Sequence, residues 1–278
     1  MESTNPLKQY FRSNKLYMPL PSGKDYYAPG IIELLDSGEI GIMPMTGKDE
    51  LTLKNPDALL NGDALIQVIN SCVPCIKNVK SLLANDIEAI ITGIRCATYH
   101  DGLETQIHCP ECGHESSYDM DLNYAIDNMT FLEPEYVVNL ESGLSVFVKP
   151  YSYPDLLKGL HSQFEQSKIT RSIENRSSTD EEKMRVFSQV FKNVAKLTVE
   201  LITSSIIKIV DESNGVNVSD PATISEFLQN IDRGSMLLIE DQIKEINTVG
   251  IKRTFTTICE KCNHTWENKV DFNPVNFS

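Results

Sequence analysis

Hydrophobic positions in the first half of the chain recur in short runs that are separated by turn signals. Residues 1–16 are polar and predict an arm that is either mobile or docked on a partner. Two β-prone pieces, at 25–28 and 39–43, predict a small strand pair. Helical spacing of apolar residues follows at 65–72 and again at 86–96. This half of the chain therefore predicts a small α/β region.

The pattern changes after Pro154, where apolar residues follow a helical period almost without interruption as far as Gly250. A capping box that begins at Thr179 starts the longest helix, whose periodicity extends toward Val210. Further helices are expected to start at Pro154, Ser219 and Asp232. Because each helix has one apolar stripe, the pattern predicts a helical-bundle insertion.

Two Cys-x-x-Cys elements flank this insertion. Each follows a short β-prone run, at 105–108 and at 254–258, and each precedes a polar β-prone run. This is the layout of a zinc knuckle, which supplies two ligands, whereas structural zinc takes four. The sequence therefore predicts one closed structural zinc site and a split zinc ribbon, with the ligands Cys109, Cys112, Cys259 and Cys262. The alternative is four free thiols in turns.

Together these patterns predict an α+β fold. It consists of a small α/β N-terminal region and a split zinc ribbon of β-hairpins, with a helical-bundle insertion. The predicted domains are an N-terminal arm (1–16), an α+β region with the first knuckle (17–150), a helical insert (151–250) and the C-terminal half of the ribbon (251–278).

Other cysteines and histidines offer alternative ligands. Cys72 and Cys75 also form a Cys-x-x-Cys, but Cys72 shares an apolar helix face, so structural thiols are favoured over a redox pair or a second metal site. Three histidines lie beside the knuckles, and one of them could replace a cysteine: His108, His114 and His264. With four cysteines present, solvated or hydrogen-bonded histidines are the favoured interpretation.

Charge and motif content narrow the function classes. The net charge of −14 disfavours nucleic-acid binding, which depends on cationic side chains that neutralise phosphates. No apolar run approaches the roughly 18 residues that a membrane span needs, and the polar N-terminus lacks a signal core, so we expect synthesis in a cytosol and no membrane partner. Nucleophile-elbow, metalloprotease and dinucleotide-binding motifs are missing from the sequence, which predicts a protein that is not an enzyme.

Several short motifs occur in a fixed order along the first hundred residues: LPSGK (20–24), GIMPMTGKDEL (41–51), NG (61–62), ND (85–86) and TGIRCATY (92–99). Over residues 17–125 and the second knuckle the chain resembles the T4-type baseplate hub or hub-assembly proteins of contractile-tailed bacteriophages. The resemblance implies a virion structural or assembly protein of the tail baseplate, assembled in the host cytoplasm. It also implies hub or wedge proteins as partners in a multi-subunit complex.

A second hypothesis is a cytosolic zinc-ribbon adaptor of a transcription or replication complex, which a basic face on the ribbon would favour. The charges around the first knuckle disagree with it, because they are acidic: Glu111, Glu115, Asp119 and Asp121. An enzyme would require a deep polar pocket. The phage-tail hypothesis is therefore preferred.

Overall fold

The computed structural model describes residues 5–23, 26–55, 62–99, 102–162 and 180–269. The predicted capping residue Thr179 and the tail 270–278 lie outside this described part. The described chain divides into two compact units. The first comprises residues 1–79, 86–132 and 250–278, and the second comprises residues 80–85 and 133–249.

The first unit opens with a 3-10 helix, Pro6–Tyr10, and the antiparallel pair β1 (Leu16–Met18) and β2 (Ile40–Ile42). Helices α1 (Gly47–Leu53), α2 (Asp63–Cys72) and α3 (Ala84–Thr98) follow, with a 3-10 turn at Val79–Ser81. Residues 80–85, which include the end of this turn and the first two residues of α3, belong to the second unit. Next come β3 (Leu103–His108), β4 (Glu115–Met120) and α4 (Leu122–Asp127). The predicted strand at 39–43 is confirmed, but its predicted partner at 25–28 is wrong, because the three-residue β1 was too short to recognise.

Close packing of α3 on the β1–β2 pair depends on Gly93. A Cβ at this position would lie 2.5 Å from Cδ1 of Ile42 and 2.7 Å from the sulfur of Met18. Both of those side chains are almost completely buried. Glycine therefore allows the helix and the strand pair to share one aliphatic core.

The N-terminal arm is tied to this core by Arg12. Its guanidinium donates to the carbonyl of Pro44 at 2.6 Å, to the carbonyl of Ser71 at 2.7 Å and to Oδ2 of Asp49 at 3.1 Å. Burial of Asp49 works against its charge, but the amide and hydroxyl of Thr46 donate to the carboxylate and Arg12 adds a cation, so the pKa of Asp49 lies below its usual value. The arm is therefore held to this core at Arg12.

The second unit combines helices with a four-stranded antiparallel sheet whose strand order is β5–β6–β7–β8. The strands are β5 (Tyr136–Asn139), β6 (Ser145–Val148), β7 (Ile206–Asp211) and β8 (Val216–Val218). A helix that we label α5 begins at residue 153 and is described as far as residue 162. It is followed by α6 (Asp180–Ser205), α7 (Pro221–Asn230) and α8 (Arg233–Ile246).

One aliphatic core joins the sheet to these helices. Val146 and Ile209 face each other across β6 and β7, and Ile239 and Ile243 of α8 are buried in the same cluster. The hairpin β5–β6 lies within the predicted region 17–150, ahead of the predicted insert, but it belongs to this unit because Val138 and Val146 are part of its core.

The α+β class is confirmed, but the prediction of an almost uninterrupted helical pattern from Pro154 to Gly250 is wrong at β7 and β8. Helix α6 ends at Ser205, and the chain then pairs with β6 instead of continuing toward Val210. The run from Ile206 to Val210 is rich in β-branched residues, and its spacing fits a helix as well as a strand. The neighbouring strand β6 decides between the two.

The remaining strands, β9 (Thr254–Ile258) and β10 (Thr265–Lys269), return to the first unit. Within the described ranges, no helix has both the length and the apolar character to cross a membrane.

Replacement of Arg12 by alanine should lower the free energy of unfolding by about 1–3 kcal/mol, because Asp49 and two carbonyls lose a charged donor. The contribution of Asp49 should disappear as the pH falls through its depressed folded pKa, since it is present only above the unfolded value. Urea unfolding measures both effects.

Arg233→Ala is the matched control: the Arg233–Glu240 pair is more exposed, so its loss should lower the free energy of unfolding by less than about 1 kcal/mol. Equal losses for the two variants would contradict the role of Arg12.

Candidate metal centre

Two antiparallel hairpins form the framework of the site. Leu103 pairs with Met120 at the base of β3–β4, and His108 pairs with Glu115 at its tip. In β9–β10, Thr254 pairs with Lys269 and Ile258 with Thr265. Each strand alternates inward and outward side chains, as expected for a two-stranded sheet with one covered face. These hairpins match the two halves of the ribbon that the sequence predicts.

An aromatic contact joins the two hairpins. The rings of Tyr118 on β4 and Phe255 on β9 stack with their centroids 4.4 Å apart and their planes 16° from parallel. Within the second hairpin, the side-chain amide of Asn268 donates to the hydroxyl of Thr257 at 2.9 Å. The two hairpins therefore contact each other at the Tyr118–Phe255 pair as well as at the cysteine tips.

Both tips have the same backbone hydrogen bonds. The amide of Cys109 donates to the carbonyl of His114 at 2.9 Å, and the amide of Cys259 donates to the carbonyl of His264 at 2.8 Å. In the opposite direction, Gly113 donates to Cys109 and Asn263 donates to Cys259, each at 2.9 Å. Two turns that are separated by about half of the chain therefore have one geometry.

The residue after each second cysteine has a left-handed backbone. Gly113 has φ of 66° and Asn263 has φ of 57°. Glycine and asparagine are the residues that adopt this conformation most readily. This match was missed in the sequence analysis, although the aligned pairs Cys112-Gly113 and Cys262-Asn263 carried the signal.

The four predicted cysteines converge at the joined tips. Their sulfur atoms all lie within 4.8 Å of one another. Two pairs run between the hairpins: Cys109 to Cys262 and Cys112 to Cys259, each with 3.6 Å between the sulfurs. A tetrahedral zinc ion with thiolate ligands at ~2.3 Å would separate the sulfurs by about 3.8 Å. The cluster has the dimensions of such a site and could hold a metal ion.

Burial of the cluster is uneven. Cys109 and Cys259 are almost completely buried, Cys112 is half-buried and Cys262 is exposed. The first cysteine of each knuckle therefore faces the packed hairpins, and the second lies nearer to solvent. A metal held here would be shielded by protein on one side.

The charge states of two thiols differ in the metal-free cluster. Burial opposes ionisation of Cys259, but the amides of Cys262 and Lys261 and the neighbouring thiols donate to its sulfur and lower its pKa to about 6. The amide of His264 favours the thiolate of Cys262, but desolvation and the interaction with the other sulfurs raise the pKa of Cys262 to about 12. A metal ion that binds here would therefore meet Cys259 already ionised as a thiolate and would displace the proton of Cys262.

The neighbouring histidines have other contacts. His108 lies 3.1 Å from the carboxylate of Glu115, and the ring of His264 stacks on Trp266 with 6.0 Å between centroids. The cluster that could hold a metal, as found in the described residues, contains four cysteines and no histidine.

The other cysteines lie apart from this cluster. Cys72 is buried on α2, and burial raises its pKa to about 11 despite the nearby Arg12. Burial likewise raises the pKa of Cys96 to about 12. Cys96 lines an open cavity of about 500 Å³ in the first unit, together with Lys15, Tyr99, Asp119 and Asp121. Both thiols are protonated at neutral pH and are therefore poor nucleophiles.

Comparison with known proteins gives one family. A search of curated proteins and a search of solved structures each found no match. A family model described as T4 bacteriophage base plate protein matches residues 28–277, which is nearly the whole chain. The match confirms the resemblance to T4-type baseplate proteins and implies a structural role in the baseplate of the virion tail. The chain therefore belongs to the T4 bacteriophage base plate protein family.

Proposed function

We propose that this chain is a structural or assembly protein of a contractile-tail baseplate that docks to hub or wedge proteins and carries out no chemical reaction. The observation that carries the proposal is the cysteine cluster within a chain of the baseplate family. A structural metal suits a part whose task is to keep one shape while neighbours assemble on it.

Zinc is the metal that this donor set favours. Four thiolates in a tetrahedral arrangement are a common structural zinc site, with ligands Cys109, Cys112, Cys259 and Cys262. Such a site has no open coordination position, so a bound zinc would activate no water molecule. The role proposed for the metal is therefore to close the ribbon.

Closure of the ribbon joins distant parts of the chain. Cys112 and Cys259 are 147 residues apart, and residues 133–249 form the second unit between them. We propose that the arm (1–16), the region 17–150, the insert 151–250 and the ribbon half 251–278 act as one assembly part. The zinc site would hold the two ends of the insert together.

Charge and site chemistry support a protein partner. The net charge of −14 works against phosphate binding, and Glu111 and Glu260 lie within the two knuckles themselves. The open cavity beside Cys96 offers no activated nucleophile, because the thiol is protonated. Nucleic-acid binding and catalysis are therefore both disfavoured.

Purified protein should contain about one zinc ion per chain, as measured by elemental analysis. Cys259→Ser should lose that metal, because three thiolates and a hydroxyl bind zinc poorly. Cys72→Ser is the control and should retain it, since Cys72 lies outside the cluster. A metal-free native protein that remains folded would contradict the proposed site.

Metal affinity should fall as the solution becomes more acidic. At neutral pH the proton of Cys262 must be displaced, because its pKa is about 12 in the metal-free cluster. Each displaced proton weakens binding about tenfold for every unit of pH that is lost. Competition with a chromophoric chelator between roughly pH 6.5 and 8.5 measures this. Affinity that does not change with pH would show that the thiols are not the ligands.

Cys112→Ser should abolish incorporation into tails while the other tail proteins are made normally, because structural zinc contributes on the order of 10 kcal/mol to the folding of small zinc domains. The measurement is the amount of this protein in purified baseplates, wild type against variant. Normal tails from the zinc-free variant would make the ribbon dispensable. Tight DNA binding at about 0.15 M salt without any tail partner would favour a transcription or replication adaptor instead.

A further inference from the structure

Two sulfur–sulfur contacts cross from one hairpin of the ribbon to the other. One joins Cys109 to Cys262 and the second joins Cys112 to Cys259, each with the geometry of an S–H···S hydrogen bond and 3.6 Å between the sulfurs. A disulfide bond is about 2.0 Å long, so each pair would have to approach by about 1.6 Å to form one. The sulfurs that lie ready to react with each other therefore belong to different hairpins.

Each of these pairs joins a sulfur near solvent to a buried one. Cys262 is exposed and its neighbour Cys109 is buried, while Cys112 is half-buried and its neighbour Cys259 is buried. An oxidant in solution therefore reaches the second cysteine of each knuckle first. The buried cysteine beside it can then react with the oxidised sulfur, as the resolving cysteine does in redox-sensitive proteins.

The remaining cysteines have a different environment. Cys72 is buried, and the guanidinium of Arg12 lies 3.6 Å from its sulfur. Cys75 and Cys96 are half-buried. Within the described residues, the sulfur–sulfur hydrogen bonds involve only the four cysteines of the cluster. The other three thiols therefore serve as internal controls for oxidation of the cluster.

We propose that the metal centre is also an oxidation site, at which a peroxide converts the four thiolates into two disulfides that join the hairpins, Cys109–Cys262 and Cys112–Cys259. The inference rests on the proposed zinc site and deepens it. A cytosol keeps thiols reduced, whereas disulfides persist on the surface of virions. Zinc therefore closes the ribbon during assembly, and covalent bonds close it in a particle that meets an oxidant outside the cell.

The reaction has the same two steps in both pairs. The thiolate of the accessible cysteine attacks one oxygen of hydrogen peroxide, the O–O bond breaks, and a sulfenic acid and a hydroxide ion form. The thiolate of the buried cysteine then attacks the oxidised sulfur, which forms the S–S bond and releases a second hydroxide ion. Two molecules of peroxide thus accept four electrons from the four sulfurs. Zinc leaves because the thiolates that bind it are consumed.

Disulfides between the hairpins keep the ribbon closed without a metal. The cysteines of the first pair are 153 residues apart and those of the second pair are 147 residues apart. A covalent link between distant residues lowers the entropy of the unfolded chain, and this effect grows with the length of the loop. Disulfides within the knuckles would link nothing across the hairpins. The pairing therefore decides whether oxidation closes the ribbon or opens it.

The first test treats the zinc-loaded full-length protein with hydrogen peroxide, blocks the remaining thiols and maps the disulfides by mass spectrometry. Cys109–Cys262 and Cys112–Cys259 should be the main products, and about one zinc ion per chain should pass to a chromophoric chelator. Cys72→Ser and Cys96→Ser should give the same map, because both residues lie outside the cluster. Any other pairing of the four cysteines, or sulfinic acids in place of disulfides, would overturn the proposal.

Single variants test which sulfur of the first pair is oxidised first. Cys109→Ala removes the resolving sulfur, so labelling of Cys262 by dimedone, which traps sulfenic acids, should increase severalfold. In Cys262→Ala, the buried Cys109 should stay unlabelled. Circular dichroism shows whether each variant is folded. If either unfolds, brief oxidation of the wild type in the presence of dimedone decides the same question, and equal labelling of Cys109 and Cys262 would refute their assigned roles.

A chelator experiment links the disulfides to closure of the ribbon and separates this inference from the proposed function. EDTA is added to the reduced, zinc-loaded protein and to the oxidised protein, and limited proteolysis measures protection of the two hairpins. The reduced protein should lose protection, whereas the oxidised protein should keep it until dithiothreitol is added. Absence of zinc from the untreated protein would refute the proposed zinc site. Zinc-loaded protein whose reduced and oxidised forms lose protection equally would refute the oxidative closure alone.

Discussion

Convergence of four sulfur atoms within 4.8 Å is the constraint that organises the first unit. Four thiols this close together could hold a metal ion, and two of them have opposite shifts of pKa. The stacked pair Tyr118–Phe255 forms a second contact between the two hairpins. The aromatic contact and a metal bound to the four sulfurs would therefore hold the same two hairpins together. In the sequence, residues 133–249 of the second unit lie between these hairpins.

The short motifs that carry the family resemblance have structural roles. The amide of Ser22 donates to the buried carboxylate of Asp86 at 3.0 Å, which connects the first motif to the fourth. Asp49 of the second motif holds Arg12, and Gly93 of the last allows α3 to approach the strand pair. Buried polar groups that are satisfied in this way specify one arrangement of the chain. Such motifs are expected in a structural protein, which has to keep one conformation.

Charge is distributed unevenly in this acidic chain. The first knuckle carries Glu111 and the second carries Glu260 and Lys261, whereas α6 begins with Asp180, Glu181 and Glu182 and continues with cations alone over residues 184–199. Long-range electrostatics then gives different parts of the surface different preferred neighbours. In an assembly of many subunits, such differences select partners, while buried apolar side chains supply the affinity.

The sequence by itself determined the α+β class, the two ribbon hairpins and the four cysteines at their tips, because each rests on short-range spacing. Knuckle turns, strand alternation and helix caps are local, and the matched Gly113 and Asn263 could have been recognised in the same way. Tertiary structure alone decided that residues 206–211 form a strand and that β5 and β6 belong with the second unit. An apolar β-branched run fits a helix or a strand equally well until the neighbouring strand β6 offers its unpaired backbone groups. The position of Arg12 likewise depends on carbonyl groups of residues 32 and 59 positions away in the sequence, Pro44 and Ser71. Residue spacing cannot predict contacts between positions so far apart.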